Sequence, residues 1–310
     1  MGINAFCVAS IQEGIELREH GIDGEILVLG YTSPWQFPYL HKYRLTQTVL
    51  DHTYGKALDS CGYPLKVHIK IDTGMHRLGE PWDAQETIIR MFECKNLLIE
   101  GIFTHICSDA TSEEQGQRFY QVISALRDQG YPIPALHLLS SYGLLAHPEL
   151  GGDFARVGIA LYGVLSRKAD MEHCPIDLRP VLSLKAKVAQ VRELQPGESA
   201  GYDLQFTAKR HSKIAVLSIG YADGLPRSLS CGVGSVVVHG YKVPIAGLIC
   251  MDQTLADVTD VPEVLPGDTA VLIGTSGVQE ISACDLAEQS GTISNEILSR
   301  LGGRLERIVV

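Results

Sequence analysis

The sequence predicts an α/β fold that passes into β structure: a (β/α)8-type barrel short of its first β-α unit, then a mostly antiparallel C-terminal β domain. Three observations carry this reading. Up to about residue 160, short apolar or β-branched runs alternate with amphipathic stretches at the spacing of β-α units. Neither a Gly-rich dinucleotide loop nor a sign of reversed strand order is present, which favours a closed barrel over a doubly wound sheet. From about residue 178 the texture changes to alternating strands and tight turns, the pattern of antiparallel β.

Seven runs read as barrel strands: "AFCVA" (5–9), "EILVLG" (25–30), "LTQTVL" (45–50), "LKVHIKI" (65–71), "LLIEGIFTHI" (97–106), "ALHLLS" (135–140) and "FARVGIAL" (154–161). A barrel of this kind closes with eight. Helical patterns lie between them. "IQEGIELREHG" sets Ile11 and Ile15 one turn apart with Gly21 as its stop, and "EEQGQRFYQVISALRDQG" ends on Gly130. In the second half "VLSLKAKVAQVREL", "KIAVLSIG", "GSVVVHGYKVPIAG", "TLADVTD" and "DTAVLIGT" read as strands. Helical "ISACDLAEQSG" and "ISNEILSRLG" and a last strand "LERIVV" follow. The aperiodic "KADMEHCPIDLRP" marks the boundary, giving a barrel domain over 1–175 and a β domain over 176–310.

Composition narrows the function. With 310 residues, 45% hydrophobic and 20% charged, the chain can bury one large core or two ordinary ones. A net charge of −10 and the lack of any dense Lys/Arg run argue against nucleic acid or an anionic membrane as partner, so a small molecule is expected. Eight cysteines are scattered without a C-x-x-C pair and read as small buried hydrophobes in a reducing cytoplasm. No stretch has the apolar length of a membrane span, and the first 20 residues do not resemble a signal peptide.

In a barrel the C-terminal strand ends form the site. The fourth run supplies Lys70, Asp72 and Arg77, the fifth His105, the sixth His137, Ser140 and Ser141, and the seventh Arg156, Gly158 and Ile159. Arginines, histidines, hydroxyls and a Gly-bearing turn suit an anionic, phosphorylated ligand, because guanidinium and backbone N–H groups bind phosphate and carboxylate strongly. His68 and His76 read as surface or internally satisfied residues. Arginine is rarely buried without a partner, so Arg77 and Arg156 weigh more.

"KIDTGMHRLG" (70–79), "FARVGIALYG" (154–163), "IGYADGLPR" (219–227) and "GLICMDQ" (247–253) resemble signatures of bacterial alanine racemases, in that family's order along nearly the whole chain. The resemblance implies a pyridoxal 5'-phosphate (PLP) enzyme of fold type III. Arg77 would face the cofactor's phenolic oxygen and the substrate carboxylate. Lys70 would carry a carbamate formed with CO2; like charges about 4 Å apart repel by roughly 4 kcal/mol at an effective dielectric near 20, so reversing the lysine's sign turns repulsion into attraction. Arg156 would meet the pyridine nitrogen, keep it unprotonated and weaken the ring as an electron sink. His137 would support Arg156, His105 would lie against the ring, and Ser141 with Gly158 and Ile159 would hold the phosphate. Tyr202 would move the α-proton on one substrate face, although a phenol with a pKa near 10 needs neighbouring cations for that role. Tyr202 and the Cys250–Met251–Asp252 segment would reach into the partner's site of a homodimer, where the Met251 N–H would bind the substrate carboxylate, and Tyr221 would line the entrance.

The chain departs from that pattern twice. The family's cofactor lysine lies in a first-strand segment like V-x-K-A-x-A-Y-G-H-G, which does not occur here, so the chain as written is expected to lack the covalent anchor and to show no more than trace activity. Asn295 stands where alanine racemases usually carry tyrosine, leaving space and a polar partner for a hydroxymethyl group; as an alternative it reads as a helix N-cap. That change resembles the serine/alanine racemases of vancomycin-resistance operons, whose racemase domain follows a membrane-embedded one. The expectation is a cytoplasmic racemase of serine and alanine, feeding D-amino acids to peptidoglycan precursors and making no membrane contact itself. A non-catalytic PLP-binding or regulatory module of the same fold is the alternative. A decarboxylase of this fold type is disfavoured, since those enzymes generally place an acid where Arg156 stands.

Overall fold

The computed structural model describes residues 2–310, which form two compact units, the first reaching Gly158 and the second beginning at Ile159. The aperiodic stretch 168–180 that reads as a boundary opens with the short helix Lys168–Glu172. The first unit is built on a parallel sheet. Its strands are β1 (Ala5–Val8), β2 (Glu25–Val28), β3 (Thr46–Val49), β4 (Leu65–Asp72), β6 (Leu97–Phe103) and β7 (Ala135–His137), hydrogen-bonded in that order, with the two-residue β5 (Glu80–Pro81) beside β4.

Helices return the chain between the strands, and their ends follow the local chemistry. α1 (Ile11–Glu19) is capped by Ser10, which accepts from Glu13 N–H, and α3 (His52–Asp59) by Asp51, which accepts from Tyr54 N–H. α5 (Ser112–Asp128) buries Phe119, Val122, Ile123 and Leu126 against the core. β3 is buried on both faces, so its polar residues bond inside the sheet: Thr32 Oγ1 donates to Gln47 Oε1 at 2.6 Å and Thr48 Oγ1 to the Val28 carbonyl at 2.7 Å.

The second unit is mostly antiparallel. Its main sheet runs β13 (Tyr241–Pro244), β12 (Ser235–Val238), β15 (Thr269–Ser276), β8 (Leu184–Leu194), β11 (Ser212–Leu217), β14 (Thr254–Asp257). The β12–β13 hairpin turns on His239 and Gly240, both at positive φ, as a two-residue loop between twisted strands requires. α8 (Ala283–Ser290) opens with a reciprocal Ser282/Asp285 capping box and is followed by α9 (Ser294–Ser299).

Three expectations need correction. The run 154–161 is not a paired strand: only a single bridge joins Ser140 to Arg156, because Arg156 N–H bonds the Leu139 carbonyl at 2.9 Å and the chain then turns into a one-turn 3-10 helix at Ile159–Tyr162. The tail "LERIVV" forms no strand either, and Val309 and Val310 lie fully exposed with no neighbouring strand to pair with. Of the cysteines only Cys284 is buried, all eight are free thiols, and Cys7, Cys107 and Cys231 are exposed. Among the described residues no helix is long and apolar enough to cross a membrane.

Phe119 has no exposed surface and sits where α5 meets the sheet. Phe119→Ala should cost the first unit about 3–5 kcal/mol, as Phe-to-Ala changes in close-packed cores do, seen as a lower urea midpoint for a probe in that unit.

Candidate active site

The C-terminal end of β4 explains the charge in "KIDTGMHRLG". Asp72 Oδ1 accepts the backbone N–H groups of Gly74, Met75 and His76, each at 3.0 Å, folding the next residues into a tight loop. Gly79 closes it at φ +117, where a Cβ would stand 2.7 Å from Asp72 N. The loop leaves Arg77 exposed, with no hydrogen bond or ion pair among the described residues. His76 is also exposed and pairs with Asp72 at 3.3 Å. Lys70 is 7% exposed; its Nζ donates to the Ile71 carbonyl at 2.7 Å and lies 5.6 Å over the Phe103 ring. Neither Asp72 nor Arg77 bonds it.

Arg156 is the centre of the constellation. Nη1 and Nη2 reach the carbonyls of His137, Thr104 and Leu138 at 2.7–3.1 Å, His137 Nδ1 at 2.6 Å and His105 Nδ1 at 3.3 Å. Nε has no partner among the described residues. The guanidinium lies 5.0 Å from the Phe103 ring centre, and Phe103 stacks on His137 at 4.6 Å. Burial lowers Arg156 to about 10, still cationic at neutral pH. Burial, and after it the Arg156 charge, lowers His105 to about 4 and His137 to about 2, so both rings are neutral. Because Arg156 only donates, both rings accept at Nδ1 and carry their proton on Nε2.

Ser141 is buried and its Oγ accepts Gly158 N–H at 2.9 Å, so these two predicted residues do meet. A Cβ on Gly158 would find open space. Ile159 begins the second unit.

Several contributors were not singled out from sequence. Gln115, on α5, is 1% exposed: its Nε2 donates to Thr73 Oγ1 and the His105 carbonyl, and its Oε1 accepts from Cys107 N–H, tying the ends of β4 and β6 together. Thr73 and Thr104 share a hydrogen bond at 2.8 Å. The run "SEEQGQ" opening a helix after "THICSD" is the one signal that could have pointed to Gln115.

In the second unit Tyr202 begins a one-turn 3-10 helix after Gly201 and is 67% exposed. The Tyr221 and Met251 loops are laced together: Tyr221 N–H bonds the Cys250 carbonyl and Ala222 N–H the Met251 carbonyl, both at 3.0 Å. Arg304 braces both, meeting Asp252 at 2.7 Å and Asp223 at 3.3 Å. Met251 N–H has no partner among the described residues. Asn295 is not a helix N-cap: Ile293 holds that position of α9, and Asn295 Oδ1 is buried without a hydrogen bond. Asn295 is half-buried with this one amide atom unmet, and since amide O and N are assigned rather than observed, that atom offers either a donor or an acceptor.

A parallel-strand unit whose strand ends converge on a buried arginine and neutral imidazoles, followed by an antiparallel β unit, has the build of a cofactor-dependent enzyme. Residues 1–166 match the family model "Alanine racemase, N-terminal domain" and 181–309 "Alanine racemase, C-terminal domain". The chain belongs to the alanine racemase family. It is 45% identical to an amino-acid racemase of Enterococcus faecalis over 99% of its length, spanning 44% of that protein. It is 40% identical to the alanine racemase of Halothermothrix orenii (99% of the chain, 83% of that protein) and 38% to the serine/alanine racemase of Enterococcus gallinarum (98% and 44%). The chain thus spans less than half of the E. faecalis relative. Among solved structures, E. faecalis alanine racemase superposes with TM-score 0.89 at 32% identity, covering 98% of this chain and 83% of that one. The Bartonella henselae alanine racemase, with covalently bound pyridoxal phosphate, gives 0.87 at 29%, covering 100% and 86%.

Burial lowers Lys70 to about 7, with Asp72 opposing and Arg156 reinforcing the shift. Between about pH 7 and 10.5 the unfolded chain holds this proton and the folded one does not, so Lys70 costs most below pH 7 and its cost fades as pH rises. In CO2-free buffer Lys70→Met should therefore stabilise the chain most at about pH 6 and progressively less toward about pH 10. Urea titrations across that range check it; an equal gain at both ends would rule it out.

Proposed function

We propose that this chain is the catalytic part of a PLP-dependent amino-acid racemase acting on serine and alanine. The observation that carries the reading is Arg156, a buried guanidinium whose terminal nitrogens are all engaged while its Nε–H remains for an acceptor. A pyridine nitrogen is such an acceptor. A cation that keeps its proton leaves that nitrogen unprotonated, which restrains the ring and favours proton return over transamination.

When bound, PLP supplies the electron withdrawal that acidifies the substrate's α-carbon. The chain's own residues do the rest. Ser141 and the backbone at Gly158 and Ile159 would bind its phosphate, and His105, with its proton on Nε2, would lie beside the ring. Arg77 would bind the phenolic oxygen and the substrate carboxylate, and Met251 N–H would offer the carboxylate a second donor. Lys70, lowered by burial to about 7, supplies at neutral pH the unprotonated amine that adds CO2: an N–C bond forms, a proton leaves, and the resulting anion would draw in Arg77. Tyr202 takes or returns the proton on one face, and Tyr221 lines the way in.

Tyr202, Leu204, Tyr221 and Met251 are all exposed in the single chain. Exposed large apolar side chains are what an interface covers, and we place these at a homodimer contact where each copy completes the other's site. Proton transfer on both faces needs a second base and PLP an anchor; the 310 residues hold no lysine in the segment that serves both in the resemblance. We expect this polypeptide alone to bind PLP non-covalently with at most trace turnover, and a fusion carrying a family first β-α unit ahead of residue 1 to racemise. Full turnover by the 310 residues would overturn that view.

The orphaned Asn295 Oδ1 supports serine, whose hydroxyl it would accept. The product role is supply of D-amino acids for peptidoglycan precursors, from a cytoplasmic position that a longer polypeptide could tether to a membrane. In the completed enzyme Asn295→Tyr should lower the serine-to-alanine ratio of kcat/KM by about tenfold, ~1.4 kcal/mol, within the range for one hydroxyl-sized discrimination. A ratio left unchanged would remove the case for serine.

A further inference from the structure

From sequence His68 counts as a bystander, yet in the fold it ends a chain of three side chains. Its Nδ1 lies 2.8 Å from His137 Nε2, and His137 Nδ1 lies 2.6 Å from Arg156 Nη1. One fact assigns every proton along it. A guanidinium has no acceptor, so His137 Nδ1 accepts and the neutral ring carries its hydrogen on Nε2. That N–H faces His68 Nδ1, which must accept in turn. Burial first, then the Arg156 charge, lowers His68 to about 4, so this second ring is neutral as well.

The backbone is shaped to bring His68 to this place. Along the β4–β6 pairing Val67 faces Ile99 but His68 faces Gly101, so Glu100 is passed over in a bulge. Gly101 leaves room for the imidazole: a Cβ there would stand 2.4 Å from His68 Nδ1. Neither the bulge nor the glycine serves the sheet itself, since each interrupts a regular strand. Both admit a ring beside His137.

We propose that His68 is a positioning residue for Arg156: by accepting from His137 it fixes that ring's tautomer and plane, and so holds the guanidinium with Nε–H free for the cofactor. This rests on the reading of Arg156 given above. Without the acceptor, His137 is free to rotate or to move its hydrogen to Nδ1. An N–H would then face the N–H of Arg156, and the guanidinium would be pushed from its seat.

The test reads the imidazole nitrogens by heteronuclear NMR in the 310-residue chain without PLP. In the wild type His137 should show a bare Nδ1 and a hydrogen-bonded Nε2–H. His68→Asn, whose Oδ1 stands in for Nδ1, should keep that signature, and His68→Leu should lose it. PLP affinity, measured by fluorescence titration, should fall about tenfold for Leu and stay within about twofold for Asn. A hydrogen on His137 Nδ1 in the wild type overturns the proposal, as does a Leu variant with unchanged tautomer and affinity. Should the Leu variant not fold, the wild-type and Asn spectra still decide. A wild type with the assigned tautomer that binds no PLP refutes the cofactor reading of Arg156 and leaves the tautomer assignment standing.

Discussion

A buried guanidinium has to be given partners, and most of the first unit's interior can be derived from how Arg156 obtains them. Three carbonyls converge on it from the ends of β6 and β7 and the loop beyond. β7 stops at His137 and the segment beyond makes a single bridge, so the Thr104 and Leu138 carbonyls face the guanidinium, while that of His137 takes both Thr104 N–H at 3.3 Å and Arg156 Nη1 at 3.0 Å. A charge left unpaired there would cost several kcal/mol. The curvature of the parallel sheet and the chemistry of its rim are in this sense one constraint.

The same cation sets the state of its neighbours. Charged imidazoles beside it would add repulsion to the cost of burial, so the rings settle as neutral acceptors and present N–H groups on their far sides. Lys70 meets the same field: its Nζ and the Arg156 guanidinium lie 5.6 and 5.0 Å from the Phe103 ring centre, and the Arg156 charge adds to burial in lowering it. Phe103 thus packs against the polar centre and excludes water from it.

Much of this was legible in the sequence, and the reasons differ by element. Strand and helix periods placed six parallel strands and the antiparallel second unit, since each rests on local alternation of apolar residues. The strand ends and signature stretches named Lys70, Arg77, His105, His137 and Arg156; the structure bonds both histidines to Arg156 and leaves Arg77 exposed. Residues 154–161 misled because an apolar β-branched run also suits a segment that only passes a strand end. The tail misled for the opposite reason, having strand-like residues and nothing to pair with. Gln115 and Phe103 were invisible because their importance lies in contacts with residues far away in sequence: Gln115 reaches back 42 positions to Thr73. Asn295 was noticed as a departure, but that its amide would be left unsatisfied needed the packed helix to show it.

The neutral imidazoles have a physiological consequence. Three aromatic nitrogen bases, held by burial at about 4 or below, gain no charge when the surrounding solution turns mildly acid. Histidine is usually the group through which such a drift is felt. Here the three rings stay neutral through such a drift, and the group beside them that takes up a proton near neutrality is Lys70, lowered by burial to about 7.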